Sequence, residues 1–196
     1  FLFDPHNEYA NCFGDLANVM TPKNLVLPFW LFNFEEIVDV FFRGRPGVEE
    51  ETEILQELIP LAKAKYAAGQ KGDRVLIRKN AVGGSGFTAD TPVPYRISDL
   101  VQLIDERMGK LENRSAWTRY HRLITRIEML GNDSRYAFMF NSLFVEDLMV
   151  QSLGDLFRMP VNVKPITVME LAGFPSEVLD SVVSVICRMG FEFGVW

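Results

Sequence analysis

Apolar positions along the chain follow two rhythms, and each predicts a different element. Near the start, the short runs Phe1 to Phe3, Asn18 to Met20 and Leu25 to Leu27 are separated by turn residues such as Thr21-Pro22-Lys23-Asn24. These predict short strands, with His6 to Phe13 as a helical turn between the first two. From Asn33 the spacing becomes three and four: Phe34, Ile37, Val38, Phe41 and Phe42 share a helical face, and Asn33 with Glu36 has capping-box spacing. Arg43-Gly44-Arg45-Pro46-Gly47 stops that helix. Glu49, Glu50, Glu51 and Glu53 then place negative charge at the positive end of another, whose face is Ile54, Leu55, Leu58, Leu61, Ala62 and Tyr66. Pro60 removes one backbone donor and predicts a kink.

Residues 69–95 are rich in glycine and proline around a β-prone run, Val75-Leu76-Ile77, and predict a long irregular excursion. Helical spacing returns over 97–108, 117–130 and 145–157. Ile166-Thr167-Val168-Met169 is a pure strand run ending in Glu170, and Ser176 is placed to cap a last helix with Glu177 and Asp180 in its first turn. That helix is apolar over most of its circumference, so it is expected to be buried. The layout predicts an α/β protein in which residues 1–32 and 160–196 form one layer and 33–159 a mostly helical insertion, because neither strand-bearing end closes a core alone. Phe1 to Phe3 and Ile166 to Met169 should then share a sheet.

Composition narrows the classes. With 196 residues, 48% hydrophobic and 23% charged, the chain has room for a sizeable core and lacks the polar signature of disorder. A net charge of −6 argues against a uniformly basic nucleic-acid coat and leaves room for a local basic stripe. Cys12 and Cys187 lie far apart in sequence with only His6 and His121 to help them, so neither a zinc site nor a disulfide framework is signalled, and a reducing cytoplasm is expected. No signal peptide or membrane span is indicated. The apolar first and last residues, with no initiator Met, read as an excised internal segment.

Asp4-Pro5-His6-Asn7-Glu8-Tyr9 follows a predicted strand, where open α/β sheets gather their ligands. Two carboxylates and an imidazole there suit a Mg²⁺ shell or an oriented water; equally, Asp-Pro starts turns and Glu8 favours a helix start. Gly84-Ser85-Gly86-Phe87-Thr88-Ala89 matches a loose dinucleotide fingerprint, but Asp90-Thr91-Pro92-Val93-Pro94 cannot begin the helix that a pyrophosphate needs. Gly109-Lys110 lacks both the preceding glycine and the following Ser or Thr of a P-loop. Arg119, Arg122 and Arg126 stand on one side of a helix, suited to phosphates of DNA or to a neighbour's nucleotide; the commoner meaning of such a row is a solvated face. The aromatic run from Pro28 to Phe34 is a packing signal or a subunit interface.

The Asp4 to Tyr9 stretch, Asn24-Leu25-Val26-Leu27-Pro28-Phe29-Trp30-Leu31, and Ile166 to Leu171 followed by Ser176-Glu177-Val178 and the apolar helix resemble the HerA-like ATPases, RecA-like P-loop proteins related to FtsK-type DNA translocases. The first stretch looks like that family's Asp-x-His-x-Glu-Tyr, and the second like the lead-in to its helical insertion. The resemblance implies a partial RecA-like ATPase core with a helical insertion, belonging to an ATP-driven homohexamer that acts on double-stranded DNA, often with a partner nuclease. It places Asp4 and Glu8 near Mg²⁺, ATP and the attacking water as the catalytic pair, Asp4 as the metal's residue and His6 as nucleotide-side support. The P-loop and the Walker B strand would lie outside the segment, so the segment alone would be inactive. The family's strand before the last helix more often ends in Asp; Glu170 stands there and receives no catalytic role. The alternative is a non-catalytic helical module that binds a protein partner through its aromatic and arginine faces.

Overall fold

The computed structural model describes residues 1–70, 86–111, 114–141, 145, 149–159 and 164–195. The chain gathers into two compact units, Phe1–Phe29 with Asp133–Trp196, and Trp30–Asn132.

The first unit is built on a three-stranded sheet: β1 (Leu2–Asp4), β2 (Ala17–Met20) and β3 (Ile166–Glu170). Both outer strands pair with β3 in parallel, in the order β1-β3-β2, with Leu2 opposite Val168 and Ala17 opposite Ile166. The expected sharing of a sheet by the two ends of the chain is therefore observed. Thr167, Val168 and Met169 are all buried, which is why β3 reads as an unbroken apolar run rather than an alternating one. The hydroxyl of Thr167 donates to the Leu156 carbonyl at 2.8 Å, so its burial leaves no orphan donor.

Among the described residues, this unit also has the helices α5 (Ala137–Phe140), α6 (Met149–Phe157) and α7 (Leu179–Val195). Val182, Val185, Ile186 and Met189 of α7 are buried, but Phe191 and Phe193 near its end are exposed, so the helix buries one face rather than most of its circumference. The helix begins at Leu179, not just after Ser176. Residues 175–178 form a turn closed by Val178 N–H to Pro175 at 3.1 Å, and the Glu177 carboxylate accepts the Tyr136 hydroxyl at 2.8 Å. At the end of α6, Arg158 is left-handed (φ 57°) and Met159 N–H donates to Gly154 O at 2.9 Å, a Schellman closure.

Two other expectations fail in this unit. Among the described residues, Leu25 to Leu27 pairs with no strand. The Asn24 side chain accepts from Thr21 N–H at 2.7 Å and donates to Val19 O at 2.9 Å, folding the chain back, and Pro28 cannot extend a ladder. Leu25 and Leu27 are nevertheless buried, so their apolarity reflects packing rather than pairing. His6 to Phe13 is a series of turns, with a short 3₁₀ segment only at Gly14–Leu16.

The second unit is helical: α1 (Phe34–Phe42), α2 (Glu49–Gln70), α3 (Ile97–Met108) and α4 (Arg114–Asn132). The capping box forms as spaced, with Glu36 N–H to Asn33 Oδ1 and Asn33 N–H to Glu36 Oε2, both at 2.8 Å. The helix α2 continues through Pro60. Leu55, Leu58, Ile59, Ala62, Leu100, Ile104, Leu123 and Ile127 make the core. Val75 to Ile77 and the start of the glycine fingerprint lie outside the described residues; from Gly86 to Arg96 there is no helix, in keeping with the failed context of that motif.

Lys63 is buried to 1% exposure, with its ammonium on the carbonyls of Thr88 (3.4 Å), Ala89 (2.5 Å) and Thr91 (2.7 Å). Burial lowers its pKa to about 8, against the opposing pull of Asp90, so at neutral pH it remains a charged donor. Asp90 of the same turn accepts Phe34 N–H at 2.8 Å, so the turn pinned by α2 caps the start of α1.

Two stability predictions follow from this packing. Lys63→Met removes the donor and leaves three carbonyls without it, so urea unfolding should show a loss of about 2 kcal/mol. Gly154→Ala would ordinarily favour a helix by about 1 kcal/mol. An added Cβ there, however, meets the Met159 carbonyl oxygen at 2.8 Å. The sign should reverse to a loss of about 1–3 kcal/mol, and a stabilised variant would contradict the closure described for α6.

Candidate functional site

In a parallel sheet all C-terminal strand ends lie on one edge, and here that edge gathers acidic residues. Asp4 and Glu170 end β1 and β3 and are register partners. The loops that follow are tied together: Leu171 N–H donates to Asp4 O at 2.9 Å, and Ala172 N–H to Asn7 Oδ1 at 3.4 Å. This is the edge at which open α/β sheets carry ligands.

Asp4 is fully buried, and its carboxylate shapes the loop. Oδ1 accepts Glu8 N–H at 3.1 Å and Oδ2 accepts Tyr9 N–H at 2.8 Å. Burial alone would raise its pKa, but the backbone N–H groups of Tyr9, Glu8, His6 and Asn7 outweigh burial and hold it below 3.8. Asn7 takes a left-handed conformation (φ 57°), which an asparagine tolerates and which turns the chain between His6 and Glu8. Both of those residues are exposed. The loop therefore has a buried carboxylate that fixes its backbone, with a carboxylate and an imidazole held outward. Pro5 and these side-chain-to-backbone bonds also account for the absence of the expected helical turn.

Among the described residues, no three His, Cys, Asp or Glu side chains stand together as a metal site. A cavity of about 800 Å³ opens on the same edge, lined by Glu170, Thr21, Lys23, Arg135, Phe138 and Phe174 among others. Sequence reasoning left Glu170 and Lys23 unassigned, since only pairing with β3 brings the loops after β2 and β3 together.

The arginine row lies in the second unit. Arg119 pairs with Glu50, Arg122 approaches Glu51 at 3.4 Å, and Arg126 Nε donates to Phe41 O at 2.7 Å. The row ties α4 to α1 and α2. His121 is exposed on the same helix.

A small parallel sheet accompanied by helices, with the loops after β1 and β3 tied together at its C-terminal edge, makes this an α/β protein. The chain belongs to the HerA helicase family: the family described as helicase HerA, central domain, matches residues 1–190. It is thus a member of an ATPase and helicase family, as the resemblance of its motifs implies. No curated protein matches it. No helix among the described residues is long and apolar enough to cross a membrane.

Because the folded-state pKa of Asp4 is depressed, its contribution to stability is present above the unfolded value near 3.8 and is lost as pH falls through the folded value. Asp4→Asn should melt lower than wild type at pH 7, since an amide cannot accept both N–H bonds. The difference should narrow below about pH 4. Thermal melts of both proteins between pH 2 and 7 check this, and a pH-independent difference would show that the charge contributes nothing.

Proposed function

We propose that this chain is a segment of the RecA-like core of an ATP-hydrolysing translocase or helicase that moves on double-stranded DNA as a cytoplasmic homohexamer, with a nuclease as its partner in DNA end processing. The reading is carried by one observation. In a chain that belongs to the HerA family, the Asp4 to Tyr9 stretch leaves the C-terminal end of a parallel strand and holds Glu8 outward. On this reading residues 1–32 and 160–196 belong to the ATPase core and 33–159 to its insertion.

The residues divide the work by their surroundings. Glu8, exposed on a loop of fixed backbone, would orient the water that attacks the terminal phosphate. Asp4 fixes the Glu8 amide and, as the metal's residue on this reading, would place its negative charge beneath the loop that faces Mg²⁺. His6 would support the nucleotide beside them. Mg²⁺ and ATP fit these residues only in part. The edge offers an outward carboxylate and imidazole, while the cradle G-x-x-x-x-G-K-[ST] does not occur in the chain, so the phosphate contacts would come from the rest of the parent protein. When bound, Mg²⁺ would neutralise charge on the phosphates. Arg119, Arg122 and Arg126 would face DNA or a neighbouring subunit.

In the parent protein, Glu8→Gln keeps the shape and removes the charge, so ATP should still bind while hydrolysis falls roughly 10²- to 10⁴-fold. Nucleotide affinity and steady-state turnover measured on the same variant check this. Near-normal turnover per folded molecule would leave the Asp4 to Tyr9 loop with a structural role only.

A further inference from the structure

Among the described residues, the Glu8 carboxylate makes no hydrogen bond or ion pair, and Glu8 is exposed. Where that carboxylate stands is therefore decided by the backbone that carries it. Asp4 grips this backbone from inside, with Oδ1 accepting Glu8 N–H at 3.1 Å and Oδ2 accepting Tyr9 N–H at 2.8 Å. The chain can aim both amides inward only by reversing at the residue just before them, and that residue is Asn7.

Two observations single Asn7 out. Its backbone is left-handed (φ 57°). Among the described residues of this unit the other non-glycine residue of that kind is Arg158, which closes α6, whereas Asn7 lies at no helix end and its conformation serves the loop alone. An ordinary L-residue disfavours the left-handed region by about five- to thirtyfold, while asparagine visits it readily. The second observation is a tether. Asn7 Oδ1 accepts Ala172 N–H at 3.4 Å, and the neighbouring Leu171 N–H donates to Asp4 O at 2.9 Å. Two consecutive amides of the loop after β3 thus hold the loop after β1, one at its start and one immediately before Glu8. The Asn7 bond is long, so the backbone conformation carries the larger share of the effect.

We propose that Asn7 is the positioning residue of Glu8: its left-handed backbone turns Glu8 outward, and its carboxamide ties that turn to the loop after β3. The proposal rests on the reading of Glu8 as the residue that orients the attacking water.

The test compares Asn7→Ala, Asn7→Gly, Glu8→Gln and the double variant Asn7→Ala with Glu8→Gln in the parent protein. Neither alanine nor glycine supplies the carboxamide, but glycine adopts positive φ freely and alanine does not. Turnover per folded molecule should fall about five- to thirtyfold in Asn7→Ala and only about two- to fivefold in Asn7→Gly. KM for ATP should stay unchanged in both, because Glu8 acts on the water rather than on the nucleotide. The double variant should hydrolyse ATP at the rate of Glu8→Gln alone, since no carboxylate is left to position. A readout without nucleotide is amide hydrogen exchange in the 196-residue chain, followed by NMR: Ala172 should exchange severalfold faster in Asn7→Ala and Asn7→Gly than in wild type.

A merely structural turn gives a different pattern, a lower melting temperature in Asn7→Ala with normal turnover per folded molecule, and that pattern overturns the proposal. Equal losses in Asn7→Ala and Asn7→Gly overturn the part assigned to the left-handed backbone, and unchanged exchange at Ala172 overturns the tether. A further loss in the double variant overturns the proposal as well, because Asn7 then acts other than through Glu8. Near-normal turnover in Glu8→Gln removes the catalytic reading and this proposal with it, whereas a slow Glu8→Gln beside a normal Asn7→Ala overturns this proposal alone.

Discussion

The first unit depends on β3. The strands β1 and β2 are close in sequence, yet they do not pair with each other; each pairs only with β3, which arrives after the whole helical unit has passed. Parallel pairing cannot be closed by a tight turn, so two short strands wait on one long-range event whose loop-closure entropy must be met before any ladder forms. The apolar character of β3 reflects this. Thr167, Val168 and Met169 bury side chains on both faces, and a polar residue among them would face desolvation without a partner, as Thr167 shows by needing the Leu156 carbonyl. The same pairing aligns Asp4 with Glu170 and gathers the loops on one edge, so the candidate site exists only once β3 is in place.

Buried polar side chains then shape what the regular elements leave undetermined. Asp4 and Lys63 are chemically opposite but act alike. Each is withdrawn from water and answered by several backbone groups of one turn, amides for the carboxylate and carbonyls for the ammonium. Turns of this kind cannot satisfy their own backbone, and an ionised side chain supplies bonds of the stronger class. The consequence travels along the chain. The turn held by Lys63 carries Asp90, which caps α1, while the turn held by Asp4 carries Glu8, for which a catalytic role is proposed.

Much of this was legible in the sequence where the pattern is local. The capping box of Asn33 and Glu36, the strand over Ile166 to Met169 and the buried face of the last helix all follow from spacing within a few residues. Leu25 to Leu27 misled because an apolar triplet between turns has the same composition whether it pairs with a strand or only packs; the bonds of Asn24 to Thr21 and Val19 decide, and they depend on a side-chain orientation. The start of α7 misled because Ser176 sits at the right spacing for a cap, while Glu177 next to it is drawn to Tyr136, distant in sequence. Within the site, the motif from Asp4 to Tyr9 was visible, but not the unequal burial of its carboxylates. Lys63 gave no sign, since a lysine on a helix ordinarily reads as solvent-facing.

The arginines show the limit of periodicity most directly. Helical spacing groups Arg119, Arg122 and Arg126 because they share a side of α4, and that grouping is correct as geometry. It does not say what the side meets. Neighbouring elements sort the row: Glu50 takes Arg119, the carbonyl at the end of α1 takes Arg126, and Arg122 is left in a long contact with a carboxylate that is itself nearly buried. Arg45 joins the last two through left-handed residues that no helical pattern encodes. A charge row is therefore a statement about one element, whereas the surroundings of each charge are set by the elements that converge on it, here α1, α2 and the turn between them.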